Sequence, residues 1–204
     1  MIDLDGVVRR WDGENDRRAE REGGLPEGAI RRAAFAPELL VPAIRGEVSD
    51  EQWRDQVVTR LAQAHPFADT RLAMRIWSAA SGAVDPDVIS VVRACRRRSK
   101  VVLVSNATTR LPADLDRLGI ATEFDAVVNS SSVGSIKPQP EIYRSALRAA
   151  GAMPEEAVMV DDVAENVDAA IALGMTGHVF RDATGLDRYL QEHGLLRDGV
   201  TGPV

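Results

Sequence analysis

The sequence predicts an α/β chain, a doubly wound parallel sheet with a small α-helical insertion near its start. Three observations predict it. Short apolar runs recur after residue 85, most of them are followed by an amphipathic helical stripe, and the stretch from 12 to 80 holds helical stripes but no convincing strand. Strands alternating with helices make right-handed βαβ units and a sheet buried on both faces, as in Rossmann-like cores.

In chain order, Met1-Ile2 opens a first strand that reaches Asp3-Leu-Asp5, and Gly6 lets the chain turn away. Residues 14–24 are charged and glycine-bearing, a loop or a weak helix. A helix is expected over 26–35. The next starts at Ser49, which forms a capping-box pattern with Gln52 ahead of Trp53, Val57 and Leu61. Another covers 69–80, with Leu72, Ile76 and Trp77 on one stripe. Asp85-Pro86 then supplies an N-cap and a first-turn proline for a helix bearing Val88, Ile89, Val92 and Cys95. Strands are expected at 100–105, 124–129, 157–161 and 178–180. Helices are expected through Leu111, Leu115 and Leu118, through Ile142, Tyr143, Ala146 and Leu147, and through Val163, Val167 and Ala170. The sheet domain is therefore assigned to 1–11 and 82–204, and a helical cap to 12–81. The tail after Leu196 is expected to fray.

Composition removes whole classes of function. The 204 residues are 45% hydrophobic and 27% charged, values of a folded globular chain. No apolar run approaches the ~20 residues of a membrane span. A net charge of −6 argues against nucleic acid or an anionic membrane as partner. Cys95 is the single cysteine and the amino terminus carries no apolar export signal, so a reducing cytoplasm is the expected compartment. Asn106-Ala-Thr and Asn129-Ser-Ser match the glycosylation pattern by chance on that reading. His65, His178 and His193 are too scattered for a zinc site. Of the 25 basic residues only Lys100 and Lys137 are lysine, which asks what a lysine does at each place that arginine would not.

The chemistry sits at the carboxyl ends of the expected strands, where open α/β sheets bind ligands. Four such ends carry Asp3 and Asp5, then Ser105-Asn106, then Lys137, then Asp161-Asp162. Strand alternation places Asp3 and Asp5 on one side. Carboxylates gathered this closely need a cation, and magnesium, which favours oxygen ligands and phosphate, suits them. Lys137 and the Ser105 hydroxyl would face the oxygens of a phosphoryl group. One carboxylate attacks phosphorus to form an aspartyl-phosphate, and a second shuttles the leaving-group proton.

On these motifs, Asp3-Leu-Asp5-Gly-Val-Val, Val-Leu-Val-Ser105-Asn106, Lys137-Pro138 and Val-Asp161-Asp162 with Glu165-Asn166, the chain resembles the haloacid dehalogenase-like superfamily of aspartate-nucleophile phosphohydrolases. The resemblance spans nearly the whole chain, since that family carries a cap where the helical insertion lies. Gly46-Glu-Val-Ser-Asp-Glu, with Lys137-Pro138 and Glu141-Ile-Tyr143, is most similar to the branch holding bacterial sugar-phosphate phosphatases and the phosphatase domain of soluble epoxide hydrolase.

The resemblance implies Asp3 as nucleophile and magnesium ligand. Asp5 would be general acid/base, lending its backbone carbonyl to the metal. Ser105 binds the transferring phosphoryl group with Asn106 assisting, and Lys137 stabilises developing charge. Asp162 would ligate the metal directly, with Asp161 beside it or one layer out. Asp5 favours a phosphatase, because dehalogenase members lack an acid/base aspartate there. Only two residues precede Asp3, so the first strand should be short compared with the usual five or so.

The expected function is a magnesium-dependent phosphomonoester hydrolase of a small phosphorylated metabolite. The alternatives are a phosphomutase of the same superfamily and a non-catalytic binding protein of that fold. A receiver-type signalling domain is disfavoured, because no strand-end aspartate lies between Asp5 and Ser105. The expected partner is a small-molecule phosphate ester, and a homodimer is left open. Trp11, Trp53, Trp77, Arg10 and Arg45 are candidates to touch the leaving group.

Overall fold

A computed structural model describes residues 1–196; the tail beyond Leu196 lies outside the described residues. The chain runs β1 (Arg9–Arg10), α1 (Glu14–Gly23), α2 (Ala29–Ala34), α3 (Pro37–Ile44), α4 (Asp50–Ala64), α5 (Thr70–Ala79), β2 (Ala83–Val84), α6 (Pro86–Arg96) and β3 (Val102–Ser105). It continues through α7 (Leu111–Leu118), β4 (Ala126–Asn129), α8 (Ser130–Val133), α9 (Pro140–Ala150), β5 (Val158–Asp161), α10 (Ala164–Ile171), β6 (Thr176–Val179) and α11 (Ala183–Glu192).

The main sheet is parallel throughout. β3 pairs with β4 from Val102 opposite Ala126 to Ser105 opposite Asn129. β5 pairs with β6 from Val158 opposite Thr176 to Asp161 opposite Val179. Ile2 joins the two pairs through bridges to Leu103 and Val160, which gives the order β4, β3, the Ile2 segment, β5, β6. The expected short first strand is thus reduced to a single bridging residue. Side chains alternate across the sheet. Leu103, Val160 and Phe180 meet Ile89, Leu111 and Leu186 on one face. Val102, Val104 and Met159 meet Ile142, Tyr143 and Ala170 on the other.

The last strand begins at Thr176, two residues earlier than expected. Thr-Gly-His reads as a turn, yet Gly177 is needed: a Cβ there would sit 2.5 Å from Val167 Cγ1 and 2.9 Å from Ile171 Cδ1. Its bareness lets α10 lie down on the strand.

Helices α1–α5 bury their own cluster, which includes Ala19, Leu25, Ile30, Trp53, Val57, Leu61 and Met74. The Ser49 capping box forms in both directions. Segment 14–24 proves to be a helix, and buried Glu20 explains its anchoring. The Glu20 carboxylate accepts from Gly28 N at 2.8 Å and Ile30 N at 2.9 Å, capping the helix that follows. That cap also places the start of α2 at Ala29 rather than at 26. Helices α3 and α11 were not foreseen. The chain leaves and re-enters the sheet unit through β1 and β2, an antiparallel pair matching Arg9 with Val84 and Arg10 with Ala83. Two residues a side are too few to leave a period in sequence. Among the described residues no helix is long and apolar enough to cross a membrane.

Candidate active site

Buried Lys137 is the centre of the site. Its Nζ lies 2.7 Å from Asp3 Oδ1 and 2.6 Å from Asp161 Oδ2, and all three residues are almost wholly shielded from solvent. Burial works against the ammonium, but the two carboxylates outweigh it and raise its pKa. Burial pushes Asp3 up to about 7; Lys137 opposes that shift and Asp161 adds to it.

Each member is placed by its element. Asp3 ends the central segment, where its N–H donates to Val160 O at 2.9 Å. Asp161 ends β5, and its Oδ1 accepts from Val163 N at 2.9 Å and Asn166 Nδ2 at 3.1 Å. With Lys137 on Oδ2, that carboxylate is fully engaged. Asn166 belongs to α10, and its carbonyl accepts from buried Tyr143 OH at 2.8 Å. Lys137 lies in the loop before α9. Asn106, just beyond β3, holds that loop by both amide atoms: Lys137 N donates to Asn106 Oδ1 at 2.7 Å, and Asn106 Nδ2 donates to Lys137 O at 3.0 Å. Asn106, expected beside the phosphoryl group, therefore spends its side chain positioning the lysine. Ser105 is buried at the end of β3.

Asp162 completes a triplet of carboxylates. Ligand oxygens of Asp3, Asp161 and Asp162 lie within 4.8 Å of one another. Burial and the charge of Asp161 raise the Asp162 pKa. Gly6 makes room for it: at φ +86°, a Cβ would fall 2.2 Å from Asp162 Oδ2. The donor set is all oxygen and can converge on a hard cation, so it fits magnesium. Asp3 and Asp162 have the freer oxygens to hold such an ion, with Asp161 tied to Lys137 and Asn166.

Asp5 stands apart from this triplet. The alignment of Asp3 with Asp5 assumed a strand through both, but the chain turns at Leu4, whose carbonyl accepts from Val7, Val8 and Arg9. The Asp5 carboxylate instead takes Arg9 Nε at 2.7 Å, Arg9 Nη2 at 2.8 Å and Trp11 Nε1 at 2.7 Å. Arg9 is buried, reaches Asp114 of α7 at 3.4 Å and stacks over Trp11 at 4.8 Å. The four-residue spacing from Asp5 to Arg9 was a visible signal for this pair. Arg9→Met is expected to lower unfolding free energy by about 1–3 kcal/mol, because charge-assisted bonds to two carboxylates disappear. Urea denaturation checks it, and Arg9→Lys should recover only part, since an ammonium does not reproduce a bidentate fork.

The other leaving-group candidates are mostly committed elsewhere. Trp53 Nε1 donates to Ala34 O at 3.2 Å, Trp77 Nε1 donates to Asp16 at 2.9 Å, and Arg10 pairs with Asp85. Arg45 alone among the five keeps a buried Nε with no hydrogen-bond partner among the described residues. It follows Ile44, whose carbonyl accepts from Ser130 Oγ at 2.6 Å; that hydroxyl also accepts from Ala107 N at 3.0 Å. Asp50 at the start of α4 makes a second tie between the helical unit and the loop after β3. It accepts from Thr108 Oγ1 at 2.7 Å, and its N–H donates to Thr109 Oγ1 at 2.9 Å. Composition carried no signal for these ties.

Known proteins share the sequence family and the fold. The family model described as haloacid dehalogenase-like hydrolase matches residues 2–174. Haloacid dehalogenase-like hydrolase domain-containing protein 3 of Mus musculus is 34% identical over 147 residues, which is 67% of this chain and 59% of that protein. Phosphoserine phosphatase of Thermus thermophilus is 38% identical over 79 residues, covering 38% of this chain and 32% of that one. Among solved structures, a HAD family enzyme from Bacteroides thetaiotaomicron in complex with magnesium and inorganic phosphate superposes with a TM-score of 0.73 at 19% identity, over 91% of this chain and 96% of that one. The L-2-haloacid dehalogenase PA0810 superposes at 0.67 and 24% identity, over 86% and 80%. Structural likeness at such identities speaks for the fold alone, and the family model, which matches most of the chain, shows the family: the chain belongs to the haloacid dehalogenase-like hydrolases.

Proposed function

We propose that this chain is a magnesium-dependent phosphomonoesterase that works through an aspartyl-phosphate on Asp3. The observation that carries the reading is the Lys137 ammonium held between the buried carboxylates of Asp3 and Asp161, with Asp162 beside them. An Asp3 oxygen attacks phosphorus, the ester oxygen leaves, and Asp5 gives that oxygen its proton. Water then attacks the acyl phosphate; Asp5 takes a proton from it, and phosphate departs with Asp3 restored. Lys137 offsets charge on the equatorial oxygens. Magnesium, when bound by Asp3 and Asp162, would neutralise phosphate charge and orient it for in-line attack. To reach the leaving group, Asp5 exchanges its Arg9 and Trp11 partners for substrate. It sits just before β1, where the chain passes toward the helices, so closure of the cap is the motion that redirects it and excludes water.

The phosphatase relative supports this reading. The dehalogenase neighbour raises a second one, carboxylate attack on a carbon–halogen bond. A halide leaves without needing a proton, so Asp5 would then have no task, and phosphate ester cleavage is the better fit. The substrate is a small phosphorylated metabolite, and Arg45, with its unpartnered Nε, is a candidate to meet the leaving group.

The test is release of inorganic phosphate from an aryl phosphate. Turnover should require magnesium, stop with chelator and return when the ion is restored. Turnover of 2-haloacids with no phosphate release across a phosphoester panel would replace the proposal.

A further inference from the structure

A cavity of about 700 Å³ lies beside the crossing between the helical unit and the sheet unit, within the size range of small-molecule sites. Its walls are the segment from Arg10 into α1 and the returning segment 80–83. Gly82 keeps those walls close: at φ +73°, a Cβ there would fall 2.9 Å from Arg10 O. Trp11 joins the cavity to the site. Its Nε1 donates to Asp5 Oδ1 at 2.7 Å, and the same residue lines the cavity. A group that extends from the reacting phosphorus past the Asp5 carboxylate therefore meets the Trp11 ring.

What the cavity offers depends on what its side chains already hold. Arg10 pairs with Asp85, Arg18 pairs with Glu22, and Asp16 takes both Trp77 Nε1 and Arg31. Asp12 accepts from the backbone N–H of Glu14. Arg21 and Glu14, one cation and one anion, remain without an ion pair among the described residues, so the lining has no net charge with which to select an occupant. The indole is different. Trp11 is 47% exposed, Arg9 covers one face of its ring at 4.8 Å, and the bond to Asp5 fixes its edge. The other face is a rigid platform on which a flat group can stack.

We propose that this cavity is the leaving-group pocket of the reaction, and that the substrate's leaving group carries an uncharged planar ring that stacks on Trp11. The assignment rests on the phosphatase reading and deepens it, from a small phosphorylated metabolite to a phosphate ester of a ring-bearing alcohol. Trp11 serves two states: its Nε1 holds Asp5 before substrate enters, and its face holds the ring once Asp5 has turned to the leaving oxygen.

The test compares benzyl phosphate with cyclohexylmethyl phosphate, both esters of primary alcohols, which differ in the flatness of the ring. With magnesium, kcat/KM should favour benzyl phosphate by about tenfold, the size of one stacking contact. Trp11→Leu should bring the ratio to within about twofold of unity, and Trp11→Phe should keep part of the preference. Ala83→Leu, which fills the cavity from β2, should lower the ratio too. The ratio cancels any loss of Asp5 positioning that both esters share. Benzylphosphonate should also shift the Trp11 indole N–H resonance, identified by its loss in Trp11→Leu, more than cyclohexylmethylphosphonate does. Equal kcat/KM for the two esters in the unsubstituted chain would overturn this proposal and leave the phosphatase reading standing. So would a preference that Trp11→Leu leaves intact, or one that falls only in Arg45→Met. Absence of phosphate release from both esters and from the aryl phosphate would instead overturn the phosphatase reading, and this proposal with it.

Discussion

Asp3→Asn is expected to abolish turnover, by about a thousandfold or more, while the chain stays folded. The substitution keeps shape and a hydrogen-bond acceptor for Lys137 but removes the oxygen anion that attacks phosphorus; nucleophile losses in enzymes are of this size or larger. Steady-state phosphate release together with circular dichroism measures both halves. Without metal the same variant should also change the pH dependence of stability. Burial holds the Asp3 carboxyl near 7 against 3.8 for the free group, with Lys137 opposing and Asp161 adding. Between those values the folded chain keeps a proton that the unfolded chain has lost. Stability therefore falls as pH rises through that window, and Asp3→Asn should flatten the fall.

Lys137→Met is the second large effect, and it strikes stability and catalysis together. Removing the ammonium leaves Asp3 and Asp161 facing each other in a buried site. Breaking a buried pair from one side costs about 3–5 kcal/mol, a large share of a typical domain's stability. Denaturant unfolding should register that loss, partly recovered by magnesium, and turnover should fall at least about a hundredfold. Lys137→Arg is the finer probe. With contacts of 2.7 and 2.6 Å to two carboxylates, a compact ammonium fits where a planar guanidinium must push one of them aside. It should damage turnover, whereas exposed Lys100→Arg should leave both turnover and stability as they were.

These positions also mark what a sequence discloses. Strand ends were legible because β-branched runs and helix caps are local. Asp3, Ser105 and Asp161 follow from them, each lying at a strand end that parallel topology brings to one edge; Lys137 does not, since α8 separates it from the end of β4 and it lies in the loop before α9. Lysine scarcity singled out Lys137, and its burial between two acids is the physical counterpart. Other features depend on partners distant in the chain. Nothing near Asn106 says that its amide will clasp the Lys137 backbone 31 positions later. Glu20 looks like one more surface acid until its carboxylate is seen capping α2. Gly177 resembles a turn because the helix pressing on it is invisible in a strand-length window. Asp5 does not align with Asp3, since the turn at Leu4 depends on contacts that alternation does not encode.

On the proposed mechanism Asp3 becomes covalently phosphorylated during turnover. Rapid acid quench during turnover of an aryl phosphate with magnesium, followed by peptide mass spectrometry, tests it most directly. One phosphoryl group is expected on the amino-terminal peptide, localised to Asp3 and lost in Asp3→Asn. Active turnover with the label on another residue, or an Asp3→Asn variant that still releases phosphate at the original rate, would contradict it.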